Sequence, residues 1–474
     1  MSFPILSSRI IPEWGKDLYR RAATAIPRAW RLGPAYRRMR ALLHESQWWP
    51  AERLKALQER KLRDLIHHCY EQVPYYREIM RGRNLLPEDL QNLEDLKKLP
   101  FLTKPLLKAH FDDLKARDFD RHKPRLAHSG GTSGDNLELY LGERAYLIER
   151  ACYARRFDWA GYHEGDRCVF LRGPLAMTWP DGRPRLWYYN VNDKWLQMET
   201  LGLNETRLDR IAAKIASYRP KVISAFPSVL EILGRYILNK GIRFPSVRTL
   251  ITSSENIFPW QRNLARKAFG CEVFDWYGQA EHAASAAQCP KGSYHINVEY
   301  TILELIDSEG RPVKEGCGEI VGTCLDNLAQ PLLRYRLGDL AEATEAVCSC
   351  GRTLPLLESL QGRNWESFIR PDGTVIPATV LGMRLNPILD EGRLGPLQIR
   401  QVRRDRVEVD VVPEPGFRRE SLLALVAELQ AELGEGVEVE SRYVRTIPKT
   451  QAGKHQLFIC APSVREQADL QRIG

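Results

Sequence analysis

Between about residue 125 and residue 360, short apolar runs alternate with stretches of helical spacing, and this alternation most constrains the fold. Cys168-Val169-Phe170-Leu171, Lys221 through Phe226, Thr249 through Ser253 and Cys271 through Asp275 have the length and near-continuous apolarity of buried strands. Between them, Leu208–Ser217, Pro227–Asn239 and Pro259–Ala268 carry apolar residues at helical intervals. Pro227 stands where the first turn of a helix has no N–H bond to lose. Strand and helix in alternation predict an α/β domain with largely parallel sheets packed by helices.

The flanks read differently. Leu54, Leu57, Leu62, Leu65 and Ile66 predict a helix over about 51–80 that ends at Val73-Pro74-Tyr75-Tyr76-Arg77, and another helix is predicted at about 105–116. After Gly362-Arg363, residues 398–412 alternate as a half-buried strand or hairpin does. A helix is predicted at about 418–433 and a strand over Val437–Val444, a βαβ-type unit suited to a small α+β domain. The expected division is a basic helical arm at 1–50, a large α/β domain at 51–362 and a small domain at 363–474.

The net charge of +9 is concentrated at the start, where the first fifty residues hold nine lysines and arginines against three acids. One reading is an arm resting on an anionic membrane surface or a partner. The favoured one is a solvated basic helix packed by Leu18, Ala22, Ile26 and Trp30, because Pro27 and Pro34 interrupt any long amphipathic helix. Basic residues elsewhere are balanced by acids, which argues against nucleic-acid binding. No apolar run is long enough to span a bilayer, and Met1–Leu6 lacks a basic region followed by an apolar core. Ten cysteines without regular spacing read as cytoplasmic thiols.

Five blocks carry chemistry. Ser129-Gly130-Gly131-Thr132-Ser133-Gly134 can turn several N–H groups and three hydroxyls toward a phosphate, and it lacks the Gly-Lys-Ser/Thr ending of a Walker loop. Phe274-Asp275-Trp276-Tyr277-Gly278-Gln279-Ala280-Glu281 reads as a strand opening into a helix, where Glu281 could also be an ordinary first-turn carboxylate. Arg334-Tyr335-Arg336-Leu337-Gly338-Asp339, Gly362-Arg363 and Lys449-Thr450-Gln451-Ala452-Gly453-Lys454 follow. In this order the blocks resemble the adenylate-forming superfamily, which activates a carboxylate with ATP as an acyl-AMP. The resemblance implies that residues 129–134 hold phosphates, Tyr277 flanks the nucleotide and Glu281 holds Mg2+. Ser254 and Glu255 would approach the adenine, Asp339 and Arg363 the ribose, and Lys454 would bridge the nucleophile and the α-phosphate. The acyl group would lie near Ala225-Phe226-Pro227 and Trp276. Asp135-Asn136, Ala280 and Asn364-Trp365-Glu366 depart from the family pattern, which has lysine, a hydroxyl residue and an acidic pair there.

Val73-Pro74-Tyr75-Tyr76-Arg77, Leu99-Pro100-Phe101-Leu102-Thr103-Lys104 and Cys348-Ser349-Cys350-Gly351-Arg352 narrow the resemblance to phenylacetate–CoA ligases and enzymes linked to capsule polysaccharide clusters. It spans about residues 48–456 and implies a large adenylation domain with a small mobile lid. The implied reaction is activation of a carboxylic acid by ATP and transfer to CoA. Transfer to an amine, a hydroxyl or a carrier protein is the alternative, and a degenerate nucleotide-binding protein a third reading. A homodimer stays open. Cys289, His295, Cys348 and Cys350 together offer three thiols and an imidazole, a closed set for structural zinc such as related ligases carry; His282 is the competing imidazole.

Overall fold

The computed structural model describes residues 26–128, 137–173, 175, 185–190, 195–363, 366–391, 394–414, 416–434, 436–450 and 453–464. It begins with helices α1 (Arg28–Arg31), α2 (Gly33–Ser46), α3 (Ala51–Gln72) and α4 (Pro74–Gly82). The helix expected over 51–80 is therefore two. Val73 divides them in an extended conformation (φ −107°, ψ 110°), as a residue before proline does. α5 (Lys104–Ala109) is shorter than the expected 105–116, its start capped by the Thr103 hydroxyl, which accepts from Leu106 N at 3.4 Å. Residues 1–25 of the expected arm lie outside the described residues. Ile26 and Trp30 are exposed (50% and 64%), so the expected apolar stripe does not pack there; Tyr36 and Leu43 of α2 are buried instead.

Strands β1 (Arg125–His128) and β2 (Glu138–Leu141) form a separate antiparallel pair. Next come α6 (Glu143–Trp159), β3 (Cys168–Leu171), β4 (Trp187–Asn190), β5 (Trp195–Met198), α7 (Glu205–Tyr218), β6 (Val222–Ala225), α8 (Pro227–Lys240), β7 (Thr249–Ser253), α9 (Pro259–Phe269) and β8 (Glu272–Gly278). They are followed by β9 (Ser285–Gln288), β10 (Tyr294–Ile296), β11 (Thr301–Ile306), β12 (Gly316–Cys324), β13 (Tyr335–Ala343) and β14 (Leu356–Arg363). From β3 to β14 they make one twelve-stranded sheet, ordered β11-β12-β13-β14-β10-β9-β8-β7-β6-β3-β5-β4. Within this sheet, among the described residues, β5, β3, β6, β7 and β8 are successive parallel neighbours and the remaining pairings are antiparallel, which corrects the expectation of largely parallel sheets. Helical crossovers end at α9, and the shorter connections after β8 join antiparallel strands.

The parallel strands are apolar on both faces because helices cover both. Val169 and Leu171 pack into one core with α7 and α8 residues such as Ile211 and Leu233. Cys168 and Phe170 of the same strand point the other way, toward Phe157 of α6.

After β14 the chain forms β15 (Phe368–Ile369), β16 (Val375–Ile376), α10 (Ala378–Asp390), β17 (Leu397–Arg403), β18 (Arg406–Val411), α11 (Arg419–Leu433), β19 (Glu438–Tyr443) and β20 (Phe458–Cys460). The second sheet is ordered β19-β18-β17-β20, and β18-α11-β19 is the expected βαβ unit. Its core takes in Phe258 and Trp260 from the start of α9, with their rings stacked 4.5 Å apart. Gly382 makes room for this contact, since a Cβ there would lie 2.5 Å from Phe258 Cδ1.

The helices are tied to the sheet by buried charge. Arg155 of α6 lies 2.7 Å from Glu299, both essentially without solvent, and Ser46 at the end of α2 donates to the same carboxylate. Removing one partner of such a pair strands the other in a dry interior. Glu299→Ala is expected to cost about 3–5 kcal/mol in a denaturant titration. A loss below about 1 kcal/mol, the range of exposed pairs, would show that water reaches Arg155.

Candidate active site

The parallel strands present their carboxyl ends at one edge, the usual place for a ligand crevice in an α/β sheet. β7 ends at Ser253, and Ser254 takes a positive φ of 73° as the chain leaves the sheet. β8, its parallel neighbour, brings Trp276, Tyr277 and Gly278 to the same edge. Ser254, Glu255, Trp276, Tyr277, Gly278, Asp339, Arg363 and Lys454 all line the cleft so formed. The candidate phosphate residues Ser129–Gly134 lie outside the described residues, as do Asn364, Trp365, Gln451 and Ala452.

Asp339 and Arg363 face each other across β13 and β14 as register partners. Arg363 Nε stands 3.3 Å from Asp339 Oδ1, and Tyr277 Oη donates to Asp339 Oδ2 at 2.8 Å. Asp339 is thus held as a strand residue of β13. Burial raises its pKa, with Arg363 and Tyr277 opposing. Two glycines are required by close approach. A Cβ on Gly278 would lie 2.7 Å from Trp276 Nε1, and Gly362, at φ 85°, would place one 2.5 Å from Asn256 Nδ2.

β8 does not open into a helix. Ala280 and Glu281 form a turn leading into β9, so the helix-dipole reading of Glu281 falls. Burial raises the Glu281 pKa and Asp339 adds to this, while Arg363 and Lys104 of α5 oppose it. The charge of Lys104, in the Leu99–Lys104 block, thus acts on this site.

Most of the acceptor capacity of the Glu255 carboxylate is used within the protein. Oε2 accepts from Ser228 N at 3.0 Å, and Oε1 accepts from Ser228 Oγ at 3.1 Å and from His455 N at 2.9 Å. It therefore joins the start of α8 to the segment that carries Lys454. In that segment Thr450 N donates to Lys454 O at 2.9 Å and Lys454 N to Thr450 Oγ1 at 3.1 Å. Burial lowers the Lys454 pKa, as does Arg363, while Glu255 and Glu366 oppose the fall. Ala225 and Phe226, expected at the acyl group, pack in the core, and Pro227 opens α8; Ser228 reaches the cleft instead. Arg172, just beyond β3, was missed by the sequence reading and bonds to Ser253 Oγ at 2.6 Å and Ser224 Oγ at 2.8 Å.

Away from the cleft, Cys289, His295, Cys348 and Cys350 converge with their donor atoms within 4.8 Å of one another. Cys289 and Cys348 sulfurs are 3.6 Å apart, and Cys350 Sγ is 3.3 Å from His295 Nε2. The edges of a zinc tetrahedron with bonds of about 2.3 Å are about 3.8 Å, so the set is close to one. His295 Nδ1 lies 3.1 Å from the Leu354 carbonyl, which fixes the tautomer with Nε2 toward the thiols. His282 is not part of the cluster and sits against Tyr300.

Comparison with solved structures places the fold. A 2-hydroxyisobutyryl-CoA ligase in the postadenylation state, in complex with R3-HIB-AMP, matches with a TM-score of 0.69 at 19% identity, over 90% of this chain and 95% of that one. An anthranilate CoA ligase in complex with anthranoyl-AMP matches with a TM-score of 0.52 at 15% identity, over 75% and 68%. The fold is that of adenylate-forming acyl-CoA ligases. Residues 368–460 match the family model of the CapK C-terminal domain. A phenylacetate–coenzyme A ligase of Thermus thermophilus is 27% identical over 345 residues, 71% of this chain and 76% of its own length. Protein CapK of Staphylococcus aureus is 22% identical over 408 residues, 85% and 88%. The chain is a homologue of phenylacetate–coenzyme A ligases and of CapK.

Burial pushes the Glu366 carboxyl from an ordinary 4.5 up to about 7, with Arg363 opposing. The folded protein then holds this proton where the unfolded chain has lost it, so Glu366 subtracts stability as pH rises from 4.5 to about 7. Glu366→Gln is expected to raise the melting temperature relative to the parent at pH 8 but not at pH 4. Parallel melting curves across that range would show that Glu366 ionises freely.

Proposed function

We propose that the protein is an ATP-dependent carboxylate–CoA ligase working through an acyl-AMP. The observation that carries this is the meeting, in one cleft, of the Tyr277–Asp339–Arg363 triad and a lysine from the separate carboxyl-terminal segment. A carboxylate has about four acceptor sites, so Asp339 can take the ribose hydroxyls while keeping its present partners. Tyr277 flanks the nucleotide and Arg363 reaches the same ribose. Glu281, held at the β8 turn, would ligate the Mg2+ that accompanies ATP and offsets its phosphate charge.

In the first half-reaction an oxygen of the substrate carboxylate attacks the α-phosphorus and the bond to pyrophosphate breaks. Lys454 meets the charge that gathers on both groups, and positioning provides most of the rest. In the second, a thiol attacks the acyl carbonyl and AMP leaves. We assign residues 51–362 to the adenylation domain and 363–474 to the lid, whose movement would break the Glu255–His455 bond and withdraw Lys454. An amine, a hydroxyl or a carrier thiol is kept as a second acceptor class.

Lys454→Ala is expected to abolish acyl-AMP formation yet leave thiolation of supplied acyl-AMP largely intact. Equal loss in both halves would make the lysine structural.

Cys289, His295, Cys348 and Cys350 would hold one zinc that clips the β9–β10 turn to the segment before β14. Four protein ligands leave no open position, so its role is structural. Metal analysis should find about one zinc per chain, and Cys350→Ser should lower zinc content and melting temperature together. Metal-free protein of full stability would contradict this.

A further inference from the structure

Helix α6 carries two adjacent arginines with opposite fates. Arg155 is spent on Glu299 and Asn297. Arg156, turned about 100° further around the helix, is just as deeply buried at 3% exposure. Its three guanidinium nitrogens have no hydrogen-bond partner among the described residues.

Aromatic faces surround it instead. Its guanidinium carbon is 3.8 Å from the Tyr153 ring centroid, 4.8 Å from that of Trp276 and 5.2 Å from that of Phe157. Ring faces attract a cation, but they do not satisfy five N–H donors removed from water. Trp276 is a wall of the cleft, so the orphaned group stands at the border of the site and not in a remote core. Gln279, one residue beyond Gly278, adds a second buried donor, Nε2, without a partner among the described residues.

No carboxylate lies at ion-pair distance from Arg156 among the described residues; the Tyr153 hydroxyl and the more distant Glu149 are what favour its charge. Burial draws the Arg156 pKa down to about 10, with Arg172 adding to the fall and Tyr153 and Glu149 opposing it, so it stays charged at neutral pH; Arg172 acts on Lys454 as well. Arg172 thus couples by repulsion to the lysine of the reaction centre on one hand and to Arg156 on the other. A neutral acyl chain would leave Arg156 unpaired.

We propose that Arg156 is a specificity-determining residue of the acyl site, and that the acid activated carries a second anionic group, a carboxylate or phosphate, which pairs with this guanidinium. This rests on the ligase reading, which puts the reacting carboxylate beside Lys454.

The test pairs acids with and without the second anion: glutarate against butyrate, 4-carboxyphenylacetate against phenylacetate, and 3-phosphoglycerate against glycerate. Each is assayed for pyrophosphate release and for thermal stabilisation of the full chain, in the parent, Arg156→Met and Arg156→Lys. The proposal expects at least one doubly anionic acid to be preferred over its neutral counterpart. Arg156→Met should lower kcat/KM for it by about 100-fold, the scale of losing one partner of a buried charge pair, with Arg156→Lys recovering part. The arm that responds identifies carboxylate or phosphate. Neutral acids activated as well as anionic ones, with that ratio unmoved in Arg156→Met, would overturn the proposal and leave the ligase reading standing. Stabilisation by a doubly anionic acid that is lost in Arg156→Met, with no pyrophosphate released from any acid, would support the pocket and overturn the ligase reading. No stabilisation and no release by any doubly anionic acid would overturn the proposal.

Discussion

The site depends on one half-buried carboxylate. Glu255 accepts two hydrogen bonds from Ser228 at the start of α8 and one from the backbone of His455, which is next to Lys454. Burial raises its pKa against the pull of those three bonds and of Lys454. A carboxylate in such surroundings is costly unless its acceptors are filled. Filling them requires the carboxyl-terminal segment to sit against the cleft. Phe258 and Trp260 reinforce this closure by entering the core of the second sheet.

That closure explains how distant segments make one active centre. The parallel strands put Trp276 and Tyr277 at their carboxyl ends, the antiparallel pair β13–β14 sets Asp339 opposite Arg363, and the second sheet delivers Lys454. They come from separate parts of the chain, so the site is assembled by docking the carboxyl-terminal segment against the cleft. A two-step reaction with a bulky second substrate needs such an arrangement, since a fixed lysine would stand in the way of a thiol.

Much of this was legible in the sequence because the chemistry is written in short contiguous blocks. Asp339, Arg363, Tyr277 and Lys454 were all found from their neighbours, and the structure brings them together. What sequence could not supply depends on tertiary packing. Glu281 through Gln288 is rich in alanine and favours a helix, yet Ser285–Gln288 forms β9 because it is buried between β8 and β10, and packing overrides propensity. Parallel and antiparallel strands have similar apolar runs here, so the switch after β8 was invisible until the connections were known. Arg155 and Arg156 are indistinguishable as letters. Only the fold shows that one is paired and the other is not.

The central claim is that the cleft forms an acyl-adenylate before any thiol acts. Acid-dependent exchange of labelled pyrophosphate into ATP, measured without CoA, tests it most directly. The account predicts exchange with at least one carboxylic acid and none without acid. ATP converted to ADP and phosphate, or acid-dependent AMP formation that requires CoA from the outset, would contradict it.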